Sequence, residues 1–271
     1  MNDNDVFDYW CGLSDEKKME IRWRFVGDQS KDDYEYSPHD ALDYIPILNH
    51  GYVALLDHMG TDIDIVNAAR KSFNRESTYF DDKDKKLLRY LWDNKHTTPF
   101  EMVELKFAVM APMFVARQWM RHRTWSYNEV SRRYTEDRLR FYVPQQKDMR
   151  KQSQTDRQAS VEWESVDDDI DPLMCSFDMV WHEEMCEDRY HSLLKRGLCR
   201  EQARMVLPQS LYVEFIGKVD LSNLLHFLEL RLDKHAQWEI QQYAEAIVEM
   251  LDNIVPETMK IFRETLHGKK I

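Results

Sequence analysis

VELKFAVMAPMFVARQWMRHRTWSYNEVSRRY, residues 103–134, changes its apolar period at Pro112, and that change decides the fold class. Before the proline, Val103, Leu105, Phe107 and Val109 alternate with other residues, as a strand with one buried face requires. Pro112 then opens a helix, MFVARQWMRH, because its fixed φ and missing N–H suit a first helical turn. A strand running directly into a helix predicts an α/β (α+β) chain whose sheet is flanked by helices.

The second half of the stretch carries chemistry. Residues 117–134 hold five arginines, one histidine and no lysine, interleaved with Trp119, Trp125 and Tyr127. On a helix Arg117 and Arg121 share a face, and Gln118 neighbours Arg121. Ser126-x-x-Glu129 matches a capping box and predicts a second short helix, its N–H groups near Arg121 and Arg123. Ser131, Arg132 and Arg133 follow. Two readings stay open: a solvated basic face, or a site built around an anion. Arginine is the planar bidentate phosphate fork, whereas lysine is the usual solvated choice. The aromatics between the arginines suit a ring-stacking wall.

The same periodicities divide the rest of the chain. GYVALLDHMG (51–60) reads as a strand ending at Gly60, and DIDIVNAARKSF as a helix with Ile63, Val66, Ala69 and Phe73 on one side. KDKKLLRYLWDNKHTTPFE is a helix stopping near Asn94. RFYVP (140–144) reads as a short strand and residues 145–171 as a polar surface excursion. Helices are expected to about residue 196 and over 200–207, then a strand in SLYVEFIGKVD. LSNLLHFLELRL and HAQWEIQQYAEAIVEMLDNIV are helices, the latter with an apolar stripe through Ile240, Tyr243, Ile247, Met250 and Ile254. Residues 1–46 read as an acidic extension, with one strand candidate in IRWRFV, ahead of a single domain over 47–271.

Charge and composition narrow the function classes. The chain of 271 residues has a formal net charge of −12, and residues 1–46, with twelve acidic and five basic side chains, hold −7 of it. The acidity is therefore local and leaves room for a cationic pocket. It argues against a broad cationic surface, so no stable nucleic-acid partner is expected. No apolar h-region opens the chain and no run of about 18 apolar residues occurs, so neither a signal peptide nor a membrane span is expected. The four cysteines lack any CxxC pair and point to reduced thiols in the cytoplasm. None of the seven glycines builds GxGxxG or GxxxxGK[ST], so any bound phosphate must be held by arginines and helix ends.

Other candidate residues have structural alternatives. Ser131 has no histidine in a nucleophile elbow beside it, which favours hydrogen bonding over attack. His182-Glu183 fails as a zinc-protease motif because Cys186 occupies the position of the second histidine, and no metal site is expected. His96 reads as a helix-end histidine, and His235 and Gln237 as a helix start. Arg231 lies in an apolar helix and needs a partner: Glu229, Asp233 or a ligand. Arg204 is open in the same way.

RHRTWSYNEVSRRY resembles the signature of the flavin-dependent thymidylate synthases: Arg121-His122-Arg123, seven residues, then Ser131. KHTTPFE, APMFVARQWMRHR, EQARMVLP and LRLDKHAQWEIQQYA resemble that family in order and approximate spacing, over residues from about 50 to 265. The resemblance implies an α/β fold with a mixed sheet, assembled as a homotetramer with sites at subunit interfaces. It implies reductive methylation of dUMP to dTMP, with FAD as hydride carrier, methylenetetrahydrofolate as one-carbon donor and NADPH as reductant.

By position, the resemblance places Thr98, Arg121, His122, Arg123, Glu129 and His235 against FAD, with His96 near the flavin. Asp220 and Ser222 stand where some members carry Asn and Arg; they are expected on the same side, with His226 beside the ring. Gln118, Arg121, Glu129, Ser131, Arg133, Arg204 and Arg231 would surround dUMP. Arg231, Ser131 and His96 are the catalytic candidates, Arg231 polarising the uracil ring. A related flavin enzyme acting on another pyrimidine nucleotide, for instance by hydroxymethylation, and a non-catalytic nucleotide- or RNA-binding relative are the alternatives. His96, Arg121, Ser131 and Arg231 together argue against the second.

Overall fold

The structure is a computed structural model and describes residues 41–136, 139–157, 159–163 and 172–268. The strand expected in IRWRFV lies outside the described residues, as does Cys11; Cys175, Cys186 and Cys199 are free thiols.

Among the described residues five strands make the sheet: β1 (Asp43–Ile47), β2 (Gly51–Met59), β3 (Glu104–Pro112), β4 (Ser126–Glu129) and β7 (Tyr212–Asp220). Their order is β1-β2-β3-β7-β4, and every pairing is antiparallel. The mixed sheet implied by the resemblance is therefore corrected to an antiparallel one among the described residues. A separate hairpin pairs β5 (Arg150–Gln152) with β6 (Ser160–Glu162) inside the polar excursion. The expected boundary between residues 46 and 47 falls inside β1, where Ile47 opposes Gly51.

β3 is the central strand, and it is buried on both faces rather than one. Val103, Leu105, Phe107 and Val109 face the main core, as their alternation predicts. Ala108 and Met110 point the other way and meet Tyr52, Tyr142 and Tyr212. A layer of tyrosines covers the second face, which no alternation within β3 could reveal. Gly51 is needed where β2 begins: a Cβ there would collide with the Tyr243 hydroxyl, which donates to the Met110 carbonyl at 2.8 Å.

The helices are α1 (Asp62–Arg70), α2 (Asp82–Asp93), α3 (Met113–Trp119), α4 (Pro172–Lys195), α5 (Arg200–Ala203), α6 (Leu221–Arg231), α7 (Trp238–Leu251) and α8 (Pro256–Gly268). The stripe expected on α7 is buried throughout. α1 differs from expectation. Ile65 and Val66 are its buried apolar residues, and it gives way to a 3₁₀ turn at Lys71–Phe73, which takes Phe73 off the expected face and leaves it 77% exposed. α8 lies beyond the helices expected from periodicity. Its N-terminal N–H groups are capped from far away: the buried Asp62 carboxylate accepts from Glu257 N at 2.9 Å, Thr258 N at 3.1 Å and the Thr258 hydroxyl at 2.6 Å.

Two further expectations fail, both on what the neighbouring strand offers. Ser126–Glu129 is strand β4, not a capped helix, because the edge of β7 offers it hydrogen-bond partners from Lys218 to Phe215. RFYVP makes only an isolated bridge between Phe141 and Leu211. In the first, tertiary pairing outweighs a local helix signal; in the second, a local strand signal finds only one bridge's worth of partner.

Trp119 and Trp125 are core rather than a nucleotide wall, and Tyr127 packs half-buried against them. Trp119 is fully buried, edge-on to Trp125 and Phe215 and tilted against Phe227 at 4.8 Å. Tyr127 stacks on Trp125 with an interplanar angle of 6°. The interleaving thus alternates a buried aromatic side with an exposed basic side.

Candidate active site

Gln118, His122 and Arg231 meet where α3 ends against the end of α6. After Trp119 the chain turns, with His122 N donating to Trp119 O at 3.0 Å. The Tyr127 hydroxyl pins this turn from β4 by donating to the Trp119 and His122 carbonyls at 3.0 and 3.1 Å. Arg231 arrives as the last residue of α6. Its Nε donates to His122 Nε2 at 3.1 Å and its Nη2 to the Gln118 carbonyl at 3.0 Å. Neither Glu229 nor Asp233 makes these contacts, so the carboxylate partners considered for Arg231 are replaced by a neutral ring and a carbonyl. Burial weakens the hold of the Arg231 guanidinium on its proton only in degree; an arginine stays charged. Burial, then the Arg231 charge, then His226 press the His122 pKa down to about 4. His122 is therefore neutral at pH 7, with its proton on Nδ1 and Nε2 accepting.

A cleft of about 220 Å³ gathers the second group. Its polar lining is Glu129, Ser131, Arg132 and Arg204, and its apolar lining includes Met113 and Leu207. Although much of Glu129 is exposed, the cleft desolvates its carboxyl and raises its pKa, while Arg204 opposes that shift. Arg133 pairs with Glu201 at 3.1 Å, and its backbone N–H donates to Ser131 Oγ at 3.3 Å.

A larger cleft, about 660 Å³, brings together His96, Ser222 and His226, with apolar walls that include Trp92, Phe100 and Phe262. His96 is delivered by the end of α2. Lys95 takes the left-handed conformation (φ 55°). His96 N then donates to Leu91 O at 2.9 Å and Lys95 N to Trp92 O at 3.0 Å, the paired bonds of a Schellman turn. Thr97 lines this cleft, while the exposed Thr98 is not among its walls. Asp220 caps α6, its carboxylate accepting from Asn223 N at 2.9 Å and Asn223 Nδ2 at 2.6 Å. That bond explains an acid at this position.

The remaining candidates lie apart. Arg117, Arg121 and Arg123 are exposed and line neither cleft. His235 sits in the turn after α6, its Nδ1 2.7 Å from Asp233 and its Nε2 3.3 Å from Asp156. Gln237 does more than start a helix. It occupies the N-cap position of α7, yet its side chain makes no cap bond and instead accepts from Gln118 Nε2. Gln is a poor cap residue, which is the one sequence signal that could have raised the question.

Residues 54–257 match the family described as Thymidylate synthase complementing protein. The chain is 48% identical over 222 residues to a flavin-dependent thymidylate synthase of Thermus thermophilus, covering 82% of this chain and 79% of that one. The chain belongs to the flavin-dependent thymidylate synthase family. The synthase of Wolbachia pipientis wMel is 42% identical over 223 residues, covering 80% of this chain and 75% of that relative. Among solved structures, a UMP/dUMP methylase, PolB from Streptomyces cacaoi, bound with 5-Br UMP, superposes with a TM-score of 0.69 at 33% identity. That likeness covers 82% of this chain and 94% of PolB. The family match spans the smaller cleft, the histidines of the larger one and the Gln118–His122–Arg231 centre of this chain. Residues 1–53 fall outside it.

Proposed function

We propose that this enzyme converts dUMP to dTMP by reductive methylation, with FAD as its cofactor and methylenetetrahydrofolate and NADPH as co-substrates. The observation that carries the reading is Arg231, a cation held by His122 and the Gln118 carbonyl in a member of this family. A fixed cation beside a pyrimidine favours the negative charge that develops on the ring when hydride adds to it. His122, neutral and accepting, aims the guanidinium without competing for that charge.

The larger cleft fits a flavin in size and chemistry. Ligand sites run from about 300 to 1,000 Å³ with apolar walls and few polar groups, and this one sets Trp92, Phe100 and Phe262 against His96, Ser222, Asn223 and His226. Bound flavin supplies hydride transfer. Ser131, Arg133 and Arg204 are proposed to hold the nucleotide phosphate, with Glu129 on a sugar or base donor. Ser131 serves as a hydrogen-bonding residue: its Oγ already accepts from Arg133 N at 3.3 Å, and among the described residues no histidine shares its cleft to make it a nucleophile.

The reading includes a homotetramer. Arg117, Arg121 and Arg123 are exposed on one chain, and a neighbouring chain would bring them, with Thr98 and His235, to complete sites for two phosphorylated ligands. A cytoplasmic location is part of the same proposal; no helix among the described residues is long and apolar enough to cross a membrane.

The second reading, methylation of another pyrimidine nucleotide, is favoured by the likeness to a UMP/dUMP methylase. Product analysis separates the two. The FAD-loaded enzyme is incubated with dUMP or UMP, methylenetetrahydrofolate and NADPH. Formation of dTMP from dUMP supports the first reading. Methylation of UMP alone supports the second. Protein that stays colourless after incubation with FAD contradicts both.

A further inference from the structure

The turn between α6 and α7 grips Gln118 at both ends. Arg231, the last residue of α6, donates to the Gln118 main-chain carbonyl at 3.0 Å. Gln237, six residues on, accepts from the Gln118 side-chain amide. The turn that joins these two residues is itself tied down. Asp233 accepts from His235 N at 2.8 Å, and Ala236 N donates to Asp233 O at 2.9 Å. Gln241, one helical turn into α7, donates to the Asp233 and Ala236 carbonyls at 3.1 and 2.7 Å. Gln237 is thus presented from a hydrogen-bonded turn rather than from a loose loop.

The position makes the choice of residue informative. An N-cap side chain ordinarily accepts from an N–H of the first helical turn, and Ser, Thr, Asp or Asn does so best. Gln237 leaves that task undone and turns to α3. Its contact there has a chemical consequence. An amide carries two N–H donors and one oxygen acceptor. With one Nε2 N–H committed to Gln237, the Gln118 amide cannot rotate freely, and its oxygen and second N–H stay available for another partner in a fixed sense.

We propose that Gln237 is a positioning residue for the nucleotide: it sets the orientation of the Gln118 amide, and through it the affinity for the pyrimidine nucleotide. The inference rests on the reading of Gln118 as a substrate contact. Gln237 itself touches no reacting atom. Its contribution is to remove the amide's alternative orientations before the nucleotide arrives, so the effect falls on binding more than on the rate of the bound complex.

The test is a double-mutant cycle on the FAD-loaded enzyme with dUMP as the probe. KM and kcat are measured by dTMP formation, and the dissociation constant by calorimetry. A neutral hydrogen bond is worth about 0.5–1.5 kcal/mol net, so Gln237→Leu should raise KM and the dissociation constant for dUMP roughly threefold to tenfold, with the main loss in KM rather than kcat. Gln237 is exposed and makes no cap bond, so the variant should melt with the parent. In a Gln118→Ala background the same Gln237→Leu change should add nothing, because the amide it orients is gone. Gln237→Glu, which can only accept, should restore parental KM. The inference is overturned if Gln237→Leu leaves dUMP affinity unchanged, if its effect persists in the Gln118→Ala background, or if Gln237→Glu fails to restore it. Failure of the parent enzyme to bind dUMP at all would instead remove the functional reading beneath it.

Discussion

Arg231 Nε donates to His122 Nε2 at 3.1 Å, so one of the two residues must be neutral, and the geometry assigns that state to the histidine. The folded His122 pKa of about 4 lies below its ordinary value of 6.5. Between those values the unfolded chain binds a proton that the folded chain refuses. Stability is therefore full above pH 6.5 and falls as pH drops from 6.5 through 4. Nitrogen chemical shifts of the His122 ring should show the Nδ1–H form at pH 7 and titration near pH 4. His122→Gln, which keeps a neutral acceptor, should flatten the fall in urea midpoint over that window. A His122 that titrates near 6.5 would contradict the pairing.

The role proposed for Arg231 predicts a large kinetic effect with a small structural one. Losing one preorganised donor to developing charge costs on the order of 10²–10³ in rate. Arg231→Ala should lose turnover by about that factor while retaining FAD and a normal fold. Arg231→Lys should recover little, because a single ammonium cannot reach both His122 Nε2 and the Gln118 carbonyl as the planar fork does. Near-native turnover of Arg231→Ala at saturating dUMP would refute the role.

Glu183 gives a pH effect of opposite sign. It is buried on α4, and its Oε2 has no hydrogen-bond partner among the described residues. Burial pushes its pKa up to about 8, against the opposing bond from Ser210. The folded chain therefore holds a proton that the unfolded chain releases near 4.5. Stability is greatest below 4.5 and declines as pH rises through 8. Glu183→Gln should be more stable than the parent at pH 8 and should lack the decline. Urea denaturation at pH 5, 7 and 8 checks it, and a variant less stable throughout would overturn it.

Lys95 holds a left-handed conformation that glycine adopts without steric cost, at the turn that delivers His96. Lys95→Gly should raise stability by about 0.5–1 kcal/mol. If the Schellman turn alone places His96, flavin affinity should be unchanged. A thermal melt and an FAD titration together decide it; loss of FAD binding would mean that the Lys95 side chain has a role of its own.

Residues 1–46 are expected to be dispensable for chemistry, and the position of β1 sharpens that proposal. Tyr44 and Ile47 pair with Ala54 and Gly51, and Leu42 N donates to Leu55 O at 2.7 Å. A chain starting at residue 41 should keep flavin binding and turnover. A chain starting at Leu48 removes β1, uncovers the outer edge of β2, and should lose about 2 kcal/mol or more with the burial of Ile47. If the shorter deletion abolishes turnover, the extension takes part in the chemistry.

The local alphabet of the chain determined the succession of its elements. The alternation in 103–109, Pro112 at the start of α3 and the stripe on α7 depend on periods that neighbouring residues carry among themselves, so they were legible without a fold. The family signature was legible for a related reason: chemistry fixes residue types at fixed spacings. Tertiary structure decided whatever depended on a partner far along the chain. Ser126–Glu129 became a strand because β7 offered an edge, and Trp119 and Trp125 became core, with Tyr127 half-buried against them, because Phe215 and Phe227 pack there. Asp62 capping α8, and Arg231 bonded to His122 rather than to an acid, are likewise bonds between residues that sequence order leaves more than a hundred positions apart. A hydrogen bond or a buried contact is decided by distance in space, and only folding of the whole chain sets that distance.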